Sequence, residues 1–122
     1  MKTPCTMAAL MAMFIAIGCS RSNTPPQNTT ALQSSVPDLI IQYGCPTCHV
    51  IPSVPGAVGK VGPSLDNLAQ RSFLAGTLQN SPENLVHWIQ HPQTIHPGTA
   101  MPEMGVTSTD ATRIANFLQH DR

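Results

Sequence analysis

The sequence predicts an all-α domain with long loops, and three observations carry that reading. Two segments in the C-terminal half place apolar residues at helical spacing behind capping residues. No stretch alternates convincingly with a period of two. Twelve prolines and eight glycines break much of the remainder into loops. The chain has 122 residues, enough for one domain at roughly 100–150 residues each.

The elements follow in order. A first helix is expected over residues 37–44, where Pro37 suits a first turn and Gly44 an exit; Leu39, Ile40, Ile41 and Tyr43 are its apolar surface. Residues 50–63 are too rich in proline and glycine for regular structure. A short helix is expected over 64–71, with Leu65, Leu68 and Ala69 on one face. Ser81-Pro82 then opens a clear helix carrying Leu85, Trp88 and Ile89, which Pro92 ends. Residues 93–105 form a proline-rich loop. Thr107-x-x-Asp110 resembles a capping box for a last helix with Ala111, Ile114, Phe117 and Leu118 as its stripe.

Composition narrows the function. Charged residues are 10% of the chain and the formal net charge is zero, against about 25% charged in an ordinary domain. No cluster of Lys or Arg is present to hold a phosphate backbone, which argues against nucleic-acid binding. Apolar residues reach 41% but aromatics only 4%. So thin a core calls for a staple: a disulfide, a metal or a cofactor.

Residues 1–18 read as a secretory signal, with Lys2 its only charge and an uncharged run over 7–17. That run is shorter than the ~20 residues that span a bilayer. It ends in Ala16-Ile17-Gly18-Cys19-Ser20, which resembles a bacterial lipobox and implies lipidation of Cys19. Residues 19–36 form a lipidated start and flexible tether, with no apolar periodicity. Residues 37–122 are the folded domain. The localisation expected is the periplasmic side of a bacterial membrane, lipid-anchored.

Once Cys5 leaves with the signal and Cys19 takes a lipid, Cys45 and Cys48 remain, in Cys45-Pro46-Thr47-Cys48-His49. C-x-x-C-H is the attachment signature of c-type haem. Two thiols at this spacing can add across the two vinyl groups of one haem, and the following imidazole can bind its iron. Three other readings of these residues stay open: a redox-active dithiol, part of a zinc site, and a plain disulfide in an oxidising compartment.

From about Pro37 to the C-terminus the chain is similar to class I monohaem cytochromes c, both small bacterial ones and the cytochrome c domains fused to some oxidase subunits II. The residues that carry the resemblance come in order: Cys45-Pro46-Thr47-Cys48-His49, Val61-Gly62-Pro63-Ser64-Leu65, Ala69-Gln70-Arg71, Pro82-Glu83-Asn84-Leu85 with Trp88-Ile89, Pro92-Gln93, Pro97-Gly98-Thr99-Ala100-Met101-Pro102, and the terminal helix with Phe117-Leu118. Pro37 stands where the family often has glycine, and Ile41 where it often has an aromatic.

The resemblance implies a cytochrome c fold, with three main helices, one or two short ones and long loops around one haem c bound through Cys45 and Cys48. It makes His49 and Met101 the axial ligands, with Met104 a rival to Met101. Pro63 would accept the second ring N–H of His49 through its carbonyl. Arg71 and Trp88 would lie near the propionates. Ile41, Ile114, Phe117 and Leu118 would form the crossing of the terminal helices. His87, His91, His96 and His120 read as surface residues.

The function implied is one-electron transfer by a protein that is a carrier and not an enzyme, working with an oxidase, dehydrogenase or reductase. A haem enzyme or gas sensor with an open axial site, and a haem-free thiol–disulfide protein, are the alternatives. Five basic against six acidic residues beyond residue 18 leave a charge of −1. A weakly charged docking face is therefore expected, lined by Val50, Ile51, Val54, Pro102 and Val106.

Overall fold

The computed structural model describes residues 34–121. The expected signal, the Cys19 lipidation and residues 19–33 of the tether lie outside the described residues. Among the described residues, no helix is long and apolar enough to cross a membrane.

Helix α1 spans Val36–Gln42. It begins one residue before the expected boundary because Ser35 caps it. The Ser35 hydroxyl accepts from the Asp38 amide, and the Asp38 carboxylate accepts from the Ser35 amide. Pro37 lacks an N–H and sits in the first turn, where none is needed. Ordered contacts start earlier still, since Arg113 donates to the Ser34 carbonyl at 2.5 Å. The folded part thus takes in the end of the expected tether.

Leu39 and Ile40 are fully buried, and Tyr43 packs against the same core one turn on. Ile41 does not face the crossing; it is 48% exposed. A stripe through Leu39, Ile40 and Tyr43 covers one side of the helix, and Ile41 falls about 100° round from Ile40 and off it. Tyr43 compensates by donating its hydroxyl to Asp110 at 2.8 Å, which ties α1 to the last helix.

Gly44 turns the chain at φ +76°, and a single 3₁₀ turn follows at Cys45–Thr47. The loop after it is not a solvated connection. Ile51 donates to Ala57, Val54 to Ile51 and Ala57 to Val54, at 3.0–3.2 Å, and all three side chains are buried. The expected docking face is therefore corrected. Ile51, Val54 and Val106 belong to the core, and Val50 is half-buried.

The helix expected over 64–71 is only a 3₁₀ turn at Leu68–Gln70. Asn67 enters the left-handed region at φ 53°, which stops a longer helix. A short antiparallel ribbon follows, β1 Phe73–Leu74 with β2 Leu78–Gln79, in register Phe73↔Gln79 and Leu74↔Leu78. The ribbon departs from the all-α expectation, because two-residue strands leave no alternation in the sequence.

Helix α2 covers Pro82–Gln90 and α3 covers Pro92–Ile95. Ser81 caps α2 by accepting from the Asn84 amide, and buried Pro92 separates the two. Helix α4 spans Ser108–His120 behind Thr107, whose hydroxyl accepts from the Asp110 amide. Ala111, Ile114, Ala115 and Leu118 form its buried stripe. They pack against Leu85 and Ile89 of α2 and Leu39 and Ile40 of α1 in one core. Asn80 donates to the carbonyls of Leu68 and Arg71 and accepts from Gln119, so the 3₁₀ turn is fastened to α4.

Candidate functional site

The helices and loops enclose a largely apolar cavity of about 520 Å³, a volume in the range of sites for organic cofactors. Cys45, Cys48, His49, Pro63, Arg71, Trp88 and Met101 all line it. Ile40, Leu68, Leu74, Leu85 and Ile114 form much of its inner wall.

The 45–49 turn brings its three chemical side chains to one place. The amides of Cys48 and His49 both donate to the Cys45 carbonyl, at 3.2 and 3.0 Å. Both thiols are free. Burial raises the Cys45 thiol above its ordinary pKa, the opposite of what an attacking thiolate needs. Although Cys45, Cys48 and His49 share one turn, among the described residues no three His, Cys, Asp or Glu side chains are arranged as a metal ion would need.

His49 is held from behind. Its Nδ1 lies 2.7 Å from the Pro63 carbonyl oxygen. A carbonyl only accepts, so Nδ1 carries a proton, and the neutral ring then has its lone pair on Nε2. The segment carrying Pro63 is fastened by Gly62 N to Cys48 O and Leu65 N to Val50 O, both 2.8 Å. Gly62 has a task that its motif alone does not reveal. A Cβ there would stand 2.4 Å from His49 Cε1 and 2.7 Å from Nδ1, so only glycine leaves room for the ring. Gly59 plays the same part under the backbone of Thr47 and Cys48, 2.6 Å from the place a Cβ would take.

Arg71 donates to the carbonyls of Ser64 and Asp66, at 2.5 and 2.9 Å, while lining the cavity. Trp88 is half-buried on the wall, and among the described residues its indole N–H has no hydrogen-bond partner. Met101 and Met104 both reach the cavity and both are half-buried. His96, expected on the surface, is exposed yet also lines the cavity. Large exposed apolar side chains on the lining include Val61 (72%) and Phe73 (57%), and Pro102 is exposed as well.

One finding bears on family. A stretch of 85 residues, 70% of this chain, is 34% identical to a protein named cytochrome c oxidase subunit 2 from Alkalihalophilus pseudofirmus. The chain spans 23% of that relative's length. No protein-family profile and no solved structure matches the chain. The match corrects one expectation. The protein was read as a carrier and not an enzyme, whereas the relative is a subunit of an oxidase, an enzyme.

Proposed function

We propose that the cavity holds one c-type haem, and that the domain transfers single electrons within an oxidase-related respiratory complex. One observation carries the reading: Cys45, Cys48, His49 and Met101 line a single apolar cavity, with His49 Nδ1 bound to the Pro63 carbonyl. The resemblance to an oxidase subunit supports the respiratory setting.

The residues fit such a group. Two free thiols stand three positions apart at the cavity edge, and glycine at 62 leaves space beneath the ring of His49. When bound, the haem supplies the one-electron chemistry between ferrous and ferric iron. Cys45 and Cys48 would anchor it through thioethers. His49 would present Nε2, its tautomer set by Pro63. Met101 would present its thioether from the opposite loop. The apolar wall would limit water and disfavour added charge, which would raise the reduction potential of the bound group. Trp88 has an uncommitted N–H to offer a propionate. Arg71 has already given two donations to the backbone and has the rest of its guanidinium free to do the same. The proposed partners are redox proteins of the same chain. A lipid on Cys19 would hold the domain at the periplasmic face of a bacterial membrane. Cys19→Ala should release it from the membrane fraction.

The test is production of the full chain in a host that matures c-type cytochromes. A Soret band and a haem mass that persists after denaturation are expected, together with the red-end ferric band of a thioether ligand. A mass equal to the bare chain overturns the reading. Rapid carbon monoxide binding to the unaltered ferrous protein would instead favour an open axial site.

A further inference from the structure

Methionine-bearing residues 97–104 have little regular structure of their own. Gly98 is at φ +81° and Gly105 at φ +65°, and the backbone tie of the stretch among the described residues is Thr99 N to His96 O, just before it, at 3.1 Å. Yet Thr99, Ala100, Met101 and Pro102 all reach the cavity wall. Glu103 ties one end to the Gln93 amide and lies 3.9 Å from His91 Nδ1, and the bonds around Met101 itself come from one side chain. Gln93, on the four-residue helix α3, donates through Nε2 to the carbonyls of both Thr99 and Met101, each at 2.8 Å. Its Oε1 accepts from the Gly98 amide at 3.2 Å. Its own amide donates to the Glu103 carboxylate at 3.2 Å. Every hydrogen-bonding atom of the Gln93 side chain is thus committed to three points of one loop, with Glu103 as a fourth.

We propose that Gln93 is the positioning residue for Met101, and that its amide decides which of two methionines faces His49 across the cavity. The inference rests on the reading of the cavity as a haem site. Met104 also lines the cavity, so proximity does not choose between them. The Gln93 clamp grips residue 101 itself and stops short of 104. A thioether is a weak ligand, and it stays bound only if its backbone is held where the sulfur can reach. A single amide that satisfies two neighbouring carbonyls does this without entering the cavity. Glutamate at 93 would keep the size but lose both donations, and would set a carboxylate against two carbonyls.

The test uses the haem-loaded full chain. Gln93→Glu and Gln93→Ala are compared with Gln90→Ala, which removes a similar amide bridge, from Gln90 to Val106 and Ser108, that bonds to neither Thr99 nor Met101. The readouts are the red-end ferric band, the reduction potential and carbon monoxide binding. Both Gln93 variants should lose much of the band, lower the potential and raise the fraction with a detached thioether by about tenfold, the scale of one lost hydrogen bond or two. Gln90→Ala should lose thermal stability with the band intact. A wild-type band that survives unchanged in both Gln93 variants overturns this inference alone. A wild-type protein with no such band, unaffected by Met101→Ala, overturns it together with the ligand assignment above. If the variants fail to fold, side-chain amide exchange in the wild type decides. Gln93 protons should exchange far more slowly than those of exposed Gln70, and equal rates overturn the proposal.

Discussion

The histidine side and the methionine side of the cavity are built in different ways. On the histidine side, residues 45–65 are tied by their own backbone. The Cys45 carbonyl takes two amides, Cys48 takes Gly62, Val50 takes Leu65, and Pro63 takes the His49 ring. Ile51, Val54 and Ala57 bury the loop against the core. On the methionine side, residues 97–104 are exposed or half-buried, and three of their few ties come from the side chain of Gln93. The difference is one of redundancy. Where many backbone bonds share the work, few side-chain changes matter, and the vulnerable positions are those where a side chain cannot fit. Where one amide does the work, its loss moves the whole loop.

The largest expected effect bears on both sides at once. Cys45→Ala with Cys48→Ala should abolish covalent haem and cooperative thermal unfolding, because a chain with 4% aromatics has little else to fill a cavity of about 520 Å³. A double variant that stays folded and compact without haem would show that the backbone bonds of the histidine side suffice. Next comes Gly62→Ala, which forces a Cβ into the His49 ring. A loss of about 1–3 kcal/mol is expected, the usual range for overpacking, read as a shift in the denaturation midpoint. A neutral outcome would mean that the histidine side yields as easily as the methionine side.

Met101→Ala should cost less in stability, about 1 kcal/mol for a half-buried side chain. It should nonetheless lower the potential and open the iron to carbon monoxide. Met104→Ala should leave the spectrum nearly unchanged, and the reverse result would transfer the ligand role to Met104. An effect on stability alone belongs to a contact outside either loop. Tyr43→Phe removes the bond to Asp110 and should cost about 1 kcal/mol. That hydrogen bond to Asp110 is also the main cause raising the Tyr43 pKa above the ordinary value of 10.0. A raised value favours the protonated form in the folded state. The contribution is therefore present below the ordinary tyrosine range and fades as pH climbs through the raised one. Wild-type protein should lose its advantage over Tyr43→Phe in alkali, and an advantage that grows there would contradict the assignment.

Short-range chemistry was legible without coordinates. The caps at Ser81 and Thr107 announce α2 and α4, since a hydroxyl three residues before the amide it accepts from is a local matter. The Cys45-Pro46-Thr47-Cys48-His49 run announces its own turn for the same reason. The contact between His49 and Pro63 spans fourteen positions, and it was expected only through resemblance to a family. Tertiary structure alone decided three things. It turned the 50–63 loop inward, because its apolar side chains had a core to join and composition alone had marked the segment as a loop. It chose Leu39, Ile40 and Tyr43 over Ile41 for the helix crossing, because four apolar residues within five positions cannot all share one face. It gave Gln93 and Gly62 their tasks, because a clamp on a distant carbonyl and a space beneath a ring exist only once the partner segments have been brought together.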